Sequence, residues 1–434
     1  MQTTSRPSKQ GQRGAATLTL VLVLALAGGL GALAMVRALW VEHRGMALQT
    51  RTVLAHEAAQ FGLDRAQAVL NEPRAIDANC RHSLMASAAA GAASAADVLS
   101  RWLTSAPPAA AGIVLACARS SAGWTCDCSG AAALNDPTSF ARIVGDREAF
   151  VAEAAAAVHD DPIGPISLQV SSCDEGGVDC ARRVHLGESP GTASARLAID
   201  LIRRPALVHW PAATLSAGGA VHLGDGAVVR HDDAGGSGLA VQAGSVTQAP
   251  GARVEGLPGS PRHEAIVLAD PMQAPIEPDA RLAHWLGLRF DAWSDLPRVG
   301  RIECRERRCD GADLLAAWRA GHRLIAVRGD LGWRVDLHRL DADPAGMAPL
   351  LLVVDGELEL TGTGDLHGVL VARSMRIAAG PSTLSVTGAV ASASDVRVDG
   401  SVLLSHRADL VRAAATRAAA VLRQNGSWRE RPLP

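Results

Sequence analysis

The sequence has no tyrosine, four phenylalanines and a single lysine, Lys9. With aromatics at 3% of residues, the flat platforms that hold single-stranded nucleic acids and sugars are scarce. The 42 basic residues are balanced by 44 acidic ones, a formal charge of −2. No basic stripe is left over for phosphate backbones, so no nucleic-acid partner is expected. Enzyme signatures are missing too. There is no G-x-x-x-x-G-K-[ST] phosphate loop and no G-x-S-x-G elbow, and "GTGDLHG" at Gly362–Gly368 misses the dinucleotide spacing. The chain is therefore expected not to be an enzyme.

Charge is also absent from one long stretch. From Ala15 to Val36 no residue is charged, a run of 22 residues that suffices to cross a bilayer as a helix. Arg6, Lys9 and Arg13 in front of it hold that end in the cytoplasm, which leaves the body of the chain facing outward. A secretory signal cut after Ala34 competes with this reading, because Ala32-Leu33-Ala34 has the small-residue pattern of a cleavage site. The continuation argues for a helix that is kept. No proline occurs between Ala15 and Pro73. Val36, Leu39, Trp40, Met46, Val53, Leu54, Phe61 and Leu70 recur at helical spacings as one stripe, opposite Glu42, Arg44, Arg51, Glu57, Asp64 and Arg65. Ala15 to Leu70 is 56 residues, a rod of about 84 Å, with its base in lipid and its upper part packed by one stripe.

Such a helix, behind a short basic leader ending in glycine, resembles a type IV pilin precursor. In that family a prepilin peptidase cuts after the leader's glycine, and "QRG" ending at Gly14, followed by Ala15, matches. The resemblance implies that Gly14 and Ala15 flank the processing point. It implies that the stripe from Leu18 to Phe61 carries assembly. Gly28, Gly29 and Gly31, each weakening a helix by about 1 kcal/mol relative to alanine, are similar to the family's helix-breaking stretch that extends during assembly. The family usually has a glutamate at the fifth position after the cut, where it pairs with the amino terminus of the subunit ahead. This chain has Thr19 there, similar to subunits at a fibre tip, where no subunit lies ahead.

The Gly-Ala-Ala start, the Glu/Arg-rich second half of the helix and the ending "GSWRERPLP" resemble the PilX-type minor pilins. These belong to the priming or tip complex of bacterial type IV pili. The resemblance implies partners among other minor pilins and the major pilin, met through the N-terminal helix. It implies an inner-membrane location with a periplasmic body, then a place on the fibre, and no cofactor.

Eight cysteines, Cys80, Cys117, Cys126, Cys128, Cys173, Cys180, Cys304 and Cys309, all follow the apolar segment. Their even number suits disulfides in an oxidising compartment. Zinc is the rival reading, but no paired C-x-x-C knuckles occur. Eight cysteines allow about 105 pairings, and the short loops Cys173/Cys180 and Cys304/Cys309 are the favoured ones. In "GIVLACARSSAGWTCDCSG" two apolar runs flank a Ser-Ser-Ala-Gly turn, which predicts a hairpin with Cys117 facing Cys126 or Cys128.

From Pro211 the texture changes to short apolar-alternating strands with Gly, Asp or Ser corners. Val221 and Val241 sit in matching contexts, 20 residues apart. Leu358, Met375 and Val396 are separated by 17 and 21, as are Leu360, Ile377 and Val398. These periods predict rungs of a β-solenoid with Glu359, Arg376 and Arg397 outward. Two helical stripes, Leu282/Trp285/Leu286 and Leu314/Leu315/Trp318, predict a helical insert. "ADLVRAAATRAAAVLRQ" predicts a terminal helix capping the solenoid end. "DADPAG" offers Asp341 and Asp343 as a fragment of a calcium loop without its distal glutamate. His159-Asp160-Asp161 and His231-Asp232-Asp233 are weaker candidates for a cation.

The expected fold class is α+β: a long N-terminal pilin-like transmembrane α-helix, a small disulfide-bonded antiparallel β head, and a C-terminal β-solenoid-like all-β body. The expected boundaries are a leader at 1–14, the helix at 15–75 with 15–36 in the membrane, and the head at 76–205. The body then takes 206–408 with its insert at about 277–322, and a helix and tail take 409–434. The alternatives are a secreted or membrane-anchored β-helix adhesin, a polysaccharide-active β-helix enzyme, and a polymerising solenoid scaffold.

Overall fold

A computed structural model describes residues 13–73, 113–128, 143, 145, 147–156, 164–188, 192–268 apart from 232 and 235, 277–336 and 349–430. Helix α1 runs unbroken from Arg13 to Asn71. The head that follows has strands β1 (Ile113–Ser120), β2 (Gly123–Asp127), β3 (Ala149–Ala156) and β4 (Ile166–Cys173), helix α2 (Gly177–His185), and strand β5 (Ser194–Pro205). The sheet is antiparallel throughout, and β1 and β2 form a hairpin with Cys117 opposite Cys126. One sheet face is covered by the upper end of α1, through Ala55, Ala59, Leu63, Ala66, Val69 and Leu70 against Leu115, Phe150, Leu168, Val170 and Leu197. Full burial of Leu63 and Leu70 contributes about 2 kcal/mol each. The other face takes Val178 and Ala181 of α2.

The body comprises β6 (Leu215–Ala217), β7 (Ala220–Leu223), β8 (Val228–Arg230), β9 (Val241–Ala243), β10 (Ser245–Gln248), β11 (Arg253–Glu255) and β12 (Ile266–Leu268). Helices α3 (Pro278–Leu286) and α4 (Phe290–Ser294) follow, then β13 (Val299–Asp310), α5 (Gly311–Arg319) and β14 (Leu324–Asp336). Last come β15 (Leu350–Ser392), β16 (Val396–Asp399), β17 (Val402–His406) and α6 (Ala408–Thr416). Every strand pair in this sheet is parallel.

The strands stack in columns. Val390, Leu215, Val241 and Ile266 are successive partners in one, Met375, Val396, Val221 and Val246 in a second, and Val386, Leu404, Val229 and Val254 in a third. Chain order and stacking order differ. The chain enters the middle of the stack at β6–β8 and builds to one end through β9–β12. Helices α3 and α4 lead to the other end at β13, and β14–β17 then close back onto β6–β8.

Side-chain direction explains the apolar runs. In "LLLVV", Leu350, Leu352 and Val354 point into the stack, while Leu351 and Val353 meet Leu282, Trp285, Trp293, Val411 and Ala414 of the covering helices. A strand buried on both faces reads as continuous rather than alternating hydrophobicity. Two glycines let the turns of β15 nest. A Cβ on Gly368 would lie 2.0 Å from the Leu350 carbonyl oxygen, and one on Gly388 would lie 1.9 Å from that of Gly368.

Four expectations are corrected. Val221 does not stack on Val241 but on Val246, and Val229 on Val254, so these turns are 25 residues long. Each side of a turn opens with a similar apolar triplet, which makes positions within one turn look like a repeat. In the later turns Leu358 is the partner of Leu331, and Met375 that of Val396 as expected. The insert at 277–322 is not purely helical, because β13 pairs with β14 and extends the stack. Ala418–Arg423, expected in the terminal helix, forms β18, paired with β5 of the head, and β19 (Arg429–Glu430) also pairs with β5. Ala418 to Val421 are all buried, because the strand is covered on both faces: Val421 packs into the core under α1 and Ala419 into the core under the body's helices. Finally, α6 does not cap an end: it lies on the covered face against β15, while Leu314 of α5 packs into the interior core.

The head is thus not confined to 76–205. The body is inserted between two adjacent head strands, and its entry and exit touch. Ala206 N–H donates to the Arg417 carbonyl at 2.8 Å and Leu207 N–H to that of Ala415 at 3.0 Å.

Candidate functional site

The longest exposed apolar surface is on α1. Among the described residues this helix alone is long and apolar enough to cross a membrane. Leu18 to Val53 carries leucines, valines and methionines at half or more exposed, from 50% at Val53 to 72% at Met35. Packing begins at Ala55. Thr17–Leu54 therefore stands clear of the sheets, 38 residues or about 57 Å of helix.

This corrects the single packed stripe. At about 100° per residue, Ala55, Ala59, Gly62, Leu63, Ala66 and Leu70 form the face laid on the sheet. Leu39, Met46 and Val53, seven residues apart, run almost opposite and are exposed. Small residues are chosen on the buried face because the helix lies close to the sheet. A Cβ on Gly62 would come within 2.7 Å of Val170 Cγ1 and 2.8 Å of Phe150 Cδ2. Phe61, beside it, stays partly exposed and stacks on Trp124 at 4.8 Å.

Polar contacts fix the helix where it leaves the head. Ser172 Oγ donates to the Ala55 carbonyl at 2.6 Å. Arg51 meets Glu175 at 3.0 Å and Asp174 at 3.7 Å. Burial raises the Asp174 carboxyl above its ordinary value, Glu175 adds to this, and Arg51 opposes it. At the far end, Arg423 of β18 bonds Gln67 at 2.8 Å and pairs with Asp64. Further out, Arg44 lies over the Trp40 ring at 5.3 Å from its centroid.

Gly14 and Ala15 lie in α1, while the leader up to Gln12 falls outside the described residues. Leu18 and Thr19 are exposed. Gly28, Gly29 and Gly31 are helical with open space around them, so the chain alone does not break there. Disulfides join Cys117 to Cys126, Cys173 to Cys180 and Cys304 to Cys309. Cys128 is also disulfide-bonded, and Cys80 lies outside the described residues. So do Asp341 and Asp343, His159 to Asp161, and Asp232. Among the described residues no three His, Cys, Asp or Glu side chains converge to hold a metal ion.

Two clusters were not legible in the sequence. His185 Nε2 lies 2.9 Å from Glu153 and its Nδ1 3.4 Å from Ser171 Oγ. That line resembles a nucleophile relay, but Ser171 is wholly buried and out of reach of any substrate. His231 and His406 stack at 4.2 Å inside the body. No local sequence signal marks either, because each brings together side chains from separate elements. On the outward face, Arg376 stacks on Arg397, which pairs with Asp399, while Glu359 pairs with Arg308. These exposed pairs are worth about 0–1 kcal/mol.

No family model matches the chain, and no curated protein matches it. Among solved structures it is similar to the competence-associated pilin ComZ from Thermus thermophilus, at 9% identity and a TM-score of 0.13 over 65% of this chain and 83% of that one. A TM-score that low fixes neither fold nor role.

Proposed function

We propose that this chain is a membrane-anchored assembly subunit of the pilin kind, and in its finer form a non-enzymatic minor pilin of PilX type. One observation carries the reading: a continuous helix whose first 40 or so described residues present apolar side chains to the outside and whose last turns are built into a folded head. A signal peptide needs no such rigid continuity with the domain behind it. A helix that stays attached places its lower part in lipid and offers Leu39, Met46 and Val53, on the side away from the head, to helices of sister subunits. Trp40 and Arg44 then fall just beyond the apolar run, where interfacial aromatics and cations sit.

In this reading a prepilin peptidase cuts between Gly14 and Ala15 in the inner membrane, and the helix joins those of other minor pilins and the major pilin. Thr19 in place of a carboxylate favours a position with no subunit ahead. The parallel columns of the body support its reading as a β-solenoid, carried outward on the fibre and available for surface adhesion. N-terminal sequencing of the mature protein tests the assignment. Ala15 as first residue supports it, and Met35 rejects it in favour of a secreted protein.

A further inference from the structure

The stack of parallel strands ends differently on its two sides. At the β13 end, α5 closes the interior: Leu314 is buried in the core and Trp318 packs against it. At the other end the last turn is β10, β11 and β12, whose partner strands among the described residues are β7, β8 and β9 on one side alone. The inward side chains of this last turn are incompletely covered. Val221 and Val241 are 0% exposed and Ala243 4%, whereas the residues stacked on them, Val246 and Ile266, are only partly buried and Leu268 is 54% exposed.

Strand β11 shows what this open end offers. Arg253 N–H donates to the Ala227 carbonyl at 2.8 Å, and the Glu255 carbonyl accepts from His231 N–H at 2.8 Å, so both residues turn their backbone groups toward the stack. Successive residues of a strand point these groups to opposite edges, which leaves the N–H and C=O of Val254 facing out of the stack. The Val254 side chain is buried in the core. On the outward face, the residues on either side of it carry opposite charges. Arg253 is exposed and Glu255 partly exposed, and neither side chain makes an ion pair among the described residues.

We propose that two copies of this chain dimerise end to end through this last turn, with β11 of one copy antiparallel to β11 of the other about a two-fold axis at Val254. In that register the two Val254 residues exchange both N–H···O=C bonds, as directly opposed residues of an antiparallel pair do. Arg253 then faces Glu255 of the second copy, twice by symmetry, and opposite charges across such a pair attract. The same rotation lays β10 of each copy along β12 of the other, since these strands flank β11 in the last turn, and so covers Val246, Ile266 and Leu268. Charge on an edge strand commonly keeps copies apart. One basic and one acidic residue placed evenly about Val254 do the reverse under a two-fold. Such a contact uses the same patch on both copies and closes at two, and the far end, covered by α5, offers no second open turn from which a filament could grow. No residue of α1 takes part, so the contact does not depend on the chain joining a fibre.

The test uses the full chain in detergent micelles, with its mass followed by sedimentation velocity over a concentration series. A monomer–dimer equilibrium is expected, unaltered when Leu39, Met46 and Val53 are changed to glutamine. R253E and E255R each bring like charges together at both places and are expected to weaken dimerisation about tenfold or more at the wild-type melting temperature, while the R253E/E255R double variant restores it. Oxidised R253C/E255C is expected to run as a covalent dimer on a non-reducing gel, because directly opposed residues lie within disulfide reach. A monomer at every concentration, species larger than the dimer, a dimer lost in the glutamine variant, single charge changes without effect, a double variant that fails to restore association, or no covalent dimer would overturn the proposal.

Discussion

The side-chain amide of Asn71 takes both backbone groups of Val421. Its Nδ2 donates to the Val421 carbonyl at 2.9 Å and its Oδ1 accepts the Val421 N–H at 2.8 Å, across 350 residues of sequence. Asn71 ends α1, and Val421 lies in β18, the edge strand of the head sheet. An edge strand leaves a row of backbone groups without partners, and here one helix residue supplies both. The helix that projects from the head is thereby locked to the last strand of the chain.

Replacing Asn71 with alanine removes both bonds and leaves the buried Val421 N–H without that acceptor, while Gln67 Nε2 still donates to the Val421 carbonyl at 3.2 Å. A loss of about 1–3 kcal/mol is expected, read as a lower denaturant midpoint. Asn71→Asp keeps the acceptor but sets a carboxylate against the Val421 carbonyl, so it should recover at most part of the loss.

Gly62→Val is expected to destabilise the head by about 1–3 kcal/mol through overpacking, because Phe150 and Val170 already occupy the space. Gly45→Ala, with nothing within 4 Å, should leave the melting temperature unchanged or raise it, given alanine's higher helix propensity. Equal effects at the two positions would contradict the packing of α1 on the sheet.

A triple change of Leu39, Met46 and Val53 to glutamine should leave head stability unaltered, since all three are exposed in the isolated chain. It should abolish co-purification with partner helices. Retained co-purification would move the assembly surface to another side of α1.

Stability should fall on acidification through the body's histidine pair. Burial, then the charge of His231, lowers His406 to about 4 from an ordinary 6.5, with Asp233 opposing. Below 6.5 the unfolded chain binds a proton that the folded chain refuses, so the contribution is lost as pH drops from 6.5 to about 4. The gap corresponds to roughly 3.5 kcal/mol at about 1.4 kcal/mol per pH unit. Asp174 works in the opposite sense: its carboxyl is raised above 3.8, so the folded chain gains relative stability as pH falls through that raised value. Denaturant midpoints at several pH values, for wild type and His406→Leu, check the sign. The variant should have the flatter profile in the range from 6.5 to 4.

Deleting residues 207–416 and joining Ala206 to Arg417 through a two-residue turn should leave a folded head, because those residues are already hydrogen-bonded neighbours. Retention of the Cys117–Cys126 and Cys173–Cys180 disulfides, mapped by mass spectrometry, is the readout.

Sequence alone set whatever depends on neighbours along the chain. An uncharged run of 22 residues with no proline behind it makes one long helix, because backbone bonds in a helix close within four residues. The Ser-Ser-Ala-Gly turn makes a hairpin for the same local reason, and alternating apolar residues with glycine corners make short stacked strands. Tertiary structure decided which strand stacks on which. The similar triplets on the sides of one turn conceal its true length of 25 residues, and only the burial of Val221 against Val246 and Val396 fixes it. It also decided that "AAAVL" is a strand, since a segment of strong helix formers extends when the open edge of β5 offers it hydrogen bonds and a place for its side chains. The insertion of the body into the head, the exposed side of α1 and the grip of Asn71 on Val421 have the same origin. Each is a contact between residues far apart in the chain, and such contacts leave no period or spacing in the sequence.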